Sequence, residues 1–248
     1  MTCPAVLFSY SRMVYADAWA LQRTLVHERI ENRCPDTLVL LEHEPVFTVG
    51  RRGQESHYQE IDLLNGGYPV YHVERGGSVT YHGPGQIVGY PILRLDRYCA
   101  GPKAYMRLLE EVVIQTLLEW NITGKRMENM VGVWVGQEKI AAMGVRIVRG
   151  VTMHGFSLNA TVDLAPFARI VPCGIAGCRV TSMAQVLGHH VDVAAVRRAI
   201  VRIFADVLGV QWRMDCGYLE SHRLMRIGGD TTAPRTVESL SGDITRCS

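Results

Sequence analysis

Cys173 stands between a proline and a glycine, in Val171-Pro172-Cys173-Gly174. A thiolate is a strong nucleophile and a good leaving group from a thioester, and a turn of that composition can hold it exposed. Taken alone, the residue also fits the commoner fate of a free cysteine, a buried and inert thiol. Lys139 opens an apolar run, Lys139-Ile140-Ala141-Ala142-Met143. A lysine drawn into apolar surroundings loses solvation and can exchange protons at working pH; an exposed lysine beside a hairpin turn is the bland alternative. The third feature is the stretch from Arg75 to Gln86, RGGSVTYHGPGQ, with four glycines between Arg75 and Gly85. Glycine lets the backbone approach a ligand closely, and N–H groups in such loops stabilise anionic oxygens. No Gly-Lys-Ser/Thr follows and the spacing is not G-x-G-x-x-G, so neither nucleotide loop is present. Two tight turns between strands explain the same glycines. His82 and His154 each neighbour a glycine in a strand-like segment, where a structural histidine is equally ordinary.

Cys173 and Cys178 make a C-x₄-C pair. A structural zinc site needs four ligands, and no second Cys/His pair stands at matching spacing, so we expect no metal. The seven cysteines are odd in number and widely spaced, which argues against a disulfide framework and for a reducing compartment. The N-terminal residues lack a basic segment followed by an apolar one, and there is no apolar run of ~18 residues. The expectation is a cytoplasmic protein that does not engage a membrane. A net charge of +2 and the lack of any standard motif argue against a nucleic-acid partner.

The elements that must position these residues can be read from periodicity. Strands are expected at Pro4–Tyr10, Thr37–Leu41, Val46–Val49, Val70–Val73, Tyr90–Leu95 and Val151–Asn159. Val131–Val135 and Lys139–Val148 flank a Gly136-Gln137 turn and read as a hairpin. Helices are expected from Tyr15 to Arg29 with Ala18, Leu21, Leu25 and Trp19 on one side, from Lys103 to Trp120, and from the cap Asp192 to Leu208 before Gly209. Val196, Ile200, Ile203 and Val207 form the stripe of the last helix. Residues Ala160–Arg179 read as irregular. Strands without regular βαβ alternation imply a single α+β domain built on a mainly antiparallel or mixed sheet. Residues 1–216 would form this domain, and the polar stretch 217–248 a flexible tail.

Together, five segments resemble the lipoyl(octanoyl) transferase family: LLEHEPVFTVGRR (Leu40–Arg52), RGGSVTYHGPGQIVGYPI (Arg75–Ile92), EKIAAMGVRI (Glu138–Ile147), TMHGFSLN (Thr152–Asn159) and VPCGIAGCRVTSM (Val171–Met183). They occur in the family's order and overturn the bland readings of Cys173 and Lys139. The resemblance implies the fold of the biotin and lipoate protein ligases, with a large mixed sheet, a smaller sheet and flanking helices. It implies a catalytic Cys/Lys dyad that lands on Cys173 and Lys139, and no cofactor. It places Arg75, Gly76, Gly77, Ser78, Val79, Thr80, Tyr81, His82, Met143, Gly144, His154 and Gly155 among the substrate-binding residues. Val79, Tyr81, Ile140 and Met143 are expected to line an acyl channel, and N–H groups of Gly76–Gly77 or beside Cys173 to stabilise an oxyanion. The implied donor is octanoyl-acyl carrier protein, an acidic partner that Arg51, Arg52, Arg75 and Arg146 could face. The implied acceptors are lipoyl domains of 2-oxoacid dehydrogenase complexes and the glycine cleavage H protein. An ATP-dependent lipoate or biotin ligase shares the fold but needs no cysteine nucleophile, and a non-catalytic binding module needs neither dyad residue. Cys178 and the tail fall outside what the family explains.

Overall fold

A computed structural model describes residues 3–175 and 177–214; the expected tail lies outside the described residues. In chain order the first half contains β1 (Cys3–Ser9), α1 (Tyr15–Ile30), β2 (Asp36–Leu41), β3 (Val46–Val49), α2 (Glu60–Asn65), β4 (Val70–His72), β5 (Val79–His82), β6 (Gln86–Ile92) and α3 (Pro102–Leu118). The second half adds β7 (Lys125–Met127), β8 (Met130–Val135), β9 (Glu138–Val148), β10 (Val151–Asn159), β11 (Arg179–Val180), α4 (Met183–Leu187), α5 (Val193–Leu208) and β12 (Val210–Met214).

Two sheets form among the described residues. The large one runs β12-β1-β2-β6-β10-β9-β8-β7, with β11 added in parallel beside β9. Its β12-β1-β2 edge is parallel and the rest of the path antiparallel, so the sheet is mixed. The small sheet is β4-β3-β5. This is the α+β arrangement expected from the sequence.

Each face of the large sheet is covered because its strands are apolar on both sides. β2 and β6 are buried along their whole length, as central strands must be. Under one face α3 and α5 pack Tyr105, Leu109, Val112 and Ile200, Ile203, Phe204 against Leu38, Ile87 and Leu158. On the other, Ala18, Leu21 and Leu25 of α1 meet Val39, Val88 and Tyr90. The Asp192 side chain caps α5 through the Ala194 N–H at 2.9 Å, and Gly209 ends the helix at φ 65°. Three of the four stripe residues expected on α5 are buried, while Val207 is only partly covered.

The structure corrects several boundaries. The strand expected at Tyr90–Leu95 begins at Gln86, inside the glycine-rich stretch, and Leu95–Arg97 is a 3₁₀ turn. Gly89 can sit in that strand because the Phe156 ring lies across it where a Cβ would be. The segment Ala160–Arg179, expected to be irregular, contains 3₁₀ turns at Ala165–Arg169 and Pro172–Gly174. The short elements α2, β7, α4, β11 and β12 carry no periodicity long enough to read. β12 exists through its parallel pairing with β1, a tertiary event.

One buried carboxylate ties the α1–β2 corner to the loop after β6. Asp36 is fully buried and accepts from Arg29 Nε (2.7 Å), Arg94 N (2.8 Å), Arg97 Nη1 (3.0 Å) and the Tyr98 hydroxyl (2.6 Å). Removing the carboxylate from such a buried cluster takes the anion away from the buried Arg29 guanidinium, which typically costs about 3–5 kcal/mol. Asp36→Ala is therefore expected to lower the urea unfolding free energy by about that amount. A loss under about 1 kcal/mol, the scale of an exposed pair, would show that the cluster is solvated instead.

Candidate active site

The cavity that collects most of the expected residues lies between the small sheet and the β6–β10–β9 part of the large one. Its volume is about 320 Å³. Arg75, Gly77, Ser78, Val79, Thr80 and His82 form one wall, and Lys139, Met143, Gly144, His154 and Gly155 another. Gly174, the residue after Cys173, also borders it, and a small adjoining recess is bounded by Pro172 together with Lys139. Both chain neighbours of Cys173 thus share a wall with Lys139. The Cys173 side chain itself lies outside the described residues.

Three expected residues do not line the cavity. Tyr81 alternates to the opposite face of β5, where its ring meets Phe47, Tyr68 and Phe167. Gly76 spends its N–H on Val145 O at 3.0 Å, tying the glycine-rich segment to β9. Ile140, expected in the channel, belongs to the core under the other sheet face.

Lys139 is 4% exposed. Its Nζ lies 5.3 Å from the centre of the Trp134 ring. Gly132, on the facing strand, makes room for it. At φ 129° a Cβ there would stand 2.5 Å from Lys139 Cε, so any larger residue would displace the lysine as well as strain the backbone. Glu110 of α3 holds Gly132 in place by accepting its N–H at 3.1 Å.

A continuous buried hydrogen-bond chain links the glycine-rich segment to the lysine's strand. Arg75 Nη2 donates to Thr48 O (2.6 Å) and Oγ1 (2.9 Å), and Thr48 Oγ1 lies 3.5 Å from His82 Nε2. His82 Nδ1 donates to Gln86 Oε1 (2.6 Å), Gln86 Nε2 to Asn159 Oδ1 (2.9 Å), and Asn159 Nδ2 to Thr181 O (2.9 Å). The Thr181 N–H closes the chain on Lys139 O at 2.9 Å. Burial pushes the His82 pKa well down, with His43 adding repulsion, so His82 serves as a neutral link.

The deep end of the cavity is ringed by Tyr15, Tyr90, His82 and His154, all buried. Sequence reasoning missed Tyr15, Tyr90, Val88, Ala142, Phe156 and Ser157. Alternation along β6 and β10 could have signalled the strand residues, whereas nothing local marks Tyr15. His43 supports this end by donating from Nδ1 to Met13 O (2.9 Å) and accepting the Tyr90 hydroxyl at Nε2 (2.6 Å). Burial lowers its pKa to about 4.

His154 is the anomaly. It is 1% exposed, neither ring nitrogen has a partner, and its φ is 59° in mid-strand. The cause is Pro91. The register Phe156↔Gly89, carried on two residues, puts Pro91 opposite His154, and the bridge Arg94↔Val151 keeps that register beyond it. Proline has no N–H for the ladder, and Pro91 O accepts instead from Thr152 Oγ1 at 2.7 Å. The His154 N–H turns to Gln22 Oε1 of α1 at 2.9 Å, and the imidazole is delivered to the cavity. Burial, then the charges of Arg75, Arg146 and Arg23, lower its pKa to about 3.

With this geometry in hand, the chain was compared with known proteins. It matches the lipoyl protein ligase A/B catalytic domain over residues 14–205. It is 44% identical over 207 residues to an octanoyltransferase of Nostoc punctiforme, covering 83% of this chain and 89% of that one. It is 47% identical over 199 residues to an octanoyltransferase of Rubrobacter xylanophilus, covering 79% and 89%. The chain belongs to the octanoyltransferase family. Its members are acyltransferases, and the residues gathered around Lys139 come from the segments that suggested the family. The fold is also that of a lipoate-protein ligase A crystallised with ATP, at a TM-score of 0.68 and 16% identity over 87% of this chain and 89% of that one. Among the described residues, no cluster of His, Cys, Asp and Glu could hold a metal ion, and no helix is long and apolar enough to cross a membrane.

Proposed function

We propose that this enzyme moves an octanoyl group from octanoyl-acyl carrier protein onto a lysine of a lipoyl domain, through a thioester on Cys173. The observation that carries the reading is the placement of Lys139, buried in a wall shared with both neighbours of Cys173. In the first step Lys139 takes the Cys173 proton, the sulfur attacks the donor carbonyl, and the carrier's thiolate leaves, taking that proton back from Lys139. In the second the acceptor amine attacks, the Cys173 sulfur leaves, and the proton lost by the amine passes through Lys139. Thioester exchange is nearly isoenergetic and amide formation from a thioester is downhill, so no ATP is needed.

Both steps pass through a tetrahedral oxyanion. Gly76 N–H and Gly174 N–H are already bonded, to Val145 O and Val171 O, which leaves Gly77 as the backbone candidate in the glycine-rich segment. Each methylene of the chain buried beside Val79, Val88 and Met143 contributes ~0.8 kcal/mol. Arg52 stands exposed at the mouth, and Arg23, Arg51 and Arg146 line the groove beside it with Glu74, a basic rim suited to an acidic carrier. The acceptors that the family resemblance implies, the lipoyl domains of 2-oxoacid dehydrogenase complexes and the glycine cleavage H protein, would supply the attacking lysine.

The test is the intact mass of the protein after mixing with octanoyl-acyl carrier protein, with Cys173→Ala in parallel. One added octanoyl group in the wild type, and none in the variant, is the expected result. No adduct in either, with ATP-dependent turnover of free octanoate, would replace this reading by the ligase reaction.

A further inference from the structure

We propose that His57 is a positioning residue that braces the Cys173 turn against the glycine-rich wall, an inference that rests on Cys173 being the acylated residue. His57 lies far from the dyad in sequence, at the end of the 3₁₀ turn Glu55–His57. Its carbonyl accepts the Val171 N–H at 2.7 Å, and the next residue, Tyr58, bridges Ile170. Residues 57–58 are therefore stitched to the chain just before Pro172-Cys173-Gly174.

The imidazole acts on the other side of the same turn. Its Nδ1 is hydrogen-bonded to Ser78 Oγ at 2.8 Å. Ser78 is itself buried in the cavity wall and fixed by the Gly50 N–H on its carbonyl at 3.0 Å. The ring also lies against Gly174, where a Cβ would come within 2.9 Å of His57 Cε1, 3.2 Å of Nδ1 and 3.3 Å of Ser78 Cβ. Gly174 holds φ 70°, so close approach and backbone conformation both require glycine there. The ring thus sits between Ser78 and the residue that follows the nucleophile.

Within the turn, Gly174 N–H bonds Val171 O and Ile175 N–H bonds Pro172 O. These bonds shape the turn but do not tie it to the glycine-rich wall. Downstream, β11 and the Thr181 N–H hold the chain to Lys139's strand; His57 supplies the tie to Ser78, by its carbonyl before Pro172 and its ring after Cys173. A misplacement of the order of 1 Å at a reacting group can cost about 10²-fold in rate.

The experiment compares full-length wild type with His57→Ala, His57→Asn and Ser78→Ala. Read-outs are the rate of octanoyl-enzyme formation, the KM for octanoyl-acyl carrier protein, the thermal unfolding midpoint, and the rate of Cys173 alkylation by iodoacetamide. His57→Ala should slow acylation roughly 10- to 100-fold with KM and unfolding midpoint nearly unchanged. His57→Asn keeps a hydrogen-bonding atom near the Nδ1 position and should recover most of the rate, and Ser78→Ala should reproduce part of the loss. Wild-type acylation by His57→Ala would overturn the brace. So would an Asn variant no better than Ala together with a silent Ser78→Ala. If the wild type forms no octanoyl-enzyme, the acyl-transfer reading fails instead, and the brace is judged on alkylation alone: an unchanged rate in His57→Ala overturns it.

Discussion

Lys139→Met is expected to lower octanoyl transfer by about 10²–10⁴-fold, the range by which positioned proton transfer accelerates reactions. Methionine keeps much of the length and apolar bulk of the lysine, so the pocket between Gly132 and the Trp134 ring stays filled. What disappears is the Nζ amine that takes and returns the proton. The fold should tolerate the change, since the variant forfeits the Nζ contact with the Trp134 ring but keeps the apolar packing around the side chain. Single-turnover measurements separate the steps. Acylation of Cys173 by octanoyl-acyl carrier protein and its discharge onto a lipoyl domain should both slow, because the proposed mechanism moves a proton through the same amine twice. A variant that acylates slowly but discharges at the wild-type rate would confine Lys139 to activating the thiol. A variant unimpaired in both would end the dyad assignment.

The second large effect is on stability, and its sign follows from the buried histidines. His43, His82 and His154 are held neutral, with pKa values of about 4 for His43 and about 3 for His154, and well below 6.5 for His82. In the unfolded chain each takes up a proton near the ordinary 6.5. As pH falls below that value the unfolded state gains protons that the native state refuses, so stability drops with falling pH. The loss runs to about pH 4 for His43 and about pH 3 for His154. Each group contributes about 1.4 kcal/mol per pH unit, and the three together about 4. Since a domain of this kind holds ~5–15 kcal/mol in all, urea unfolding curves should show a steep decline between pH 6.5 and pH 5. His154→Asn tolerates the positive φ without titrating, and should flatten the slope by about a third. A wild-type midpoint that stays level from pH 7 to pH 5 would show that water reaches these rings.

How far the sequence alone discloses this molecule differs from one residue to the next. Residue type alone leaves bland alternatives for Lys139 and for the motif of the glycine-rich wall; the five ordered segments of the family resemblance are what pick them out. Tyr81 and Gly76 share that motif yet turn away from the cavity, since a motif does not say which face of a strand a side chain takes or where an N–H is spent. Tyr15 closes the deep end from the first turn of α1 and belongs to no pattern that marks a site. The long elements α3, α5, β9 and β10 follow from their own periodicity. β12 and β11 are too short to have one and exist through partners distant in sequence. The neutral state of His43 and His154 is likewise a product of burial, invisible until the sheets are stacked.

Pro91 and His154, 63 positions apart in the chain, are coupled through the register of β6 and β10. Give position 91 back an N–H, and the strand can close its ladder and draw the backbone at 154 into ordinary extended form, taking the imidazole out of the cavity. Change 154 alone, and a left-handed site remains that few side chains accept. Each position therefore limits which replacements the other can accept without rebuilding the wall between them.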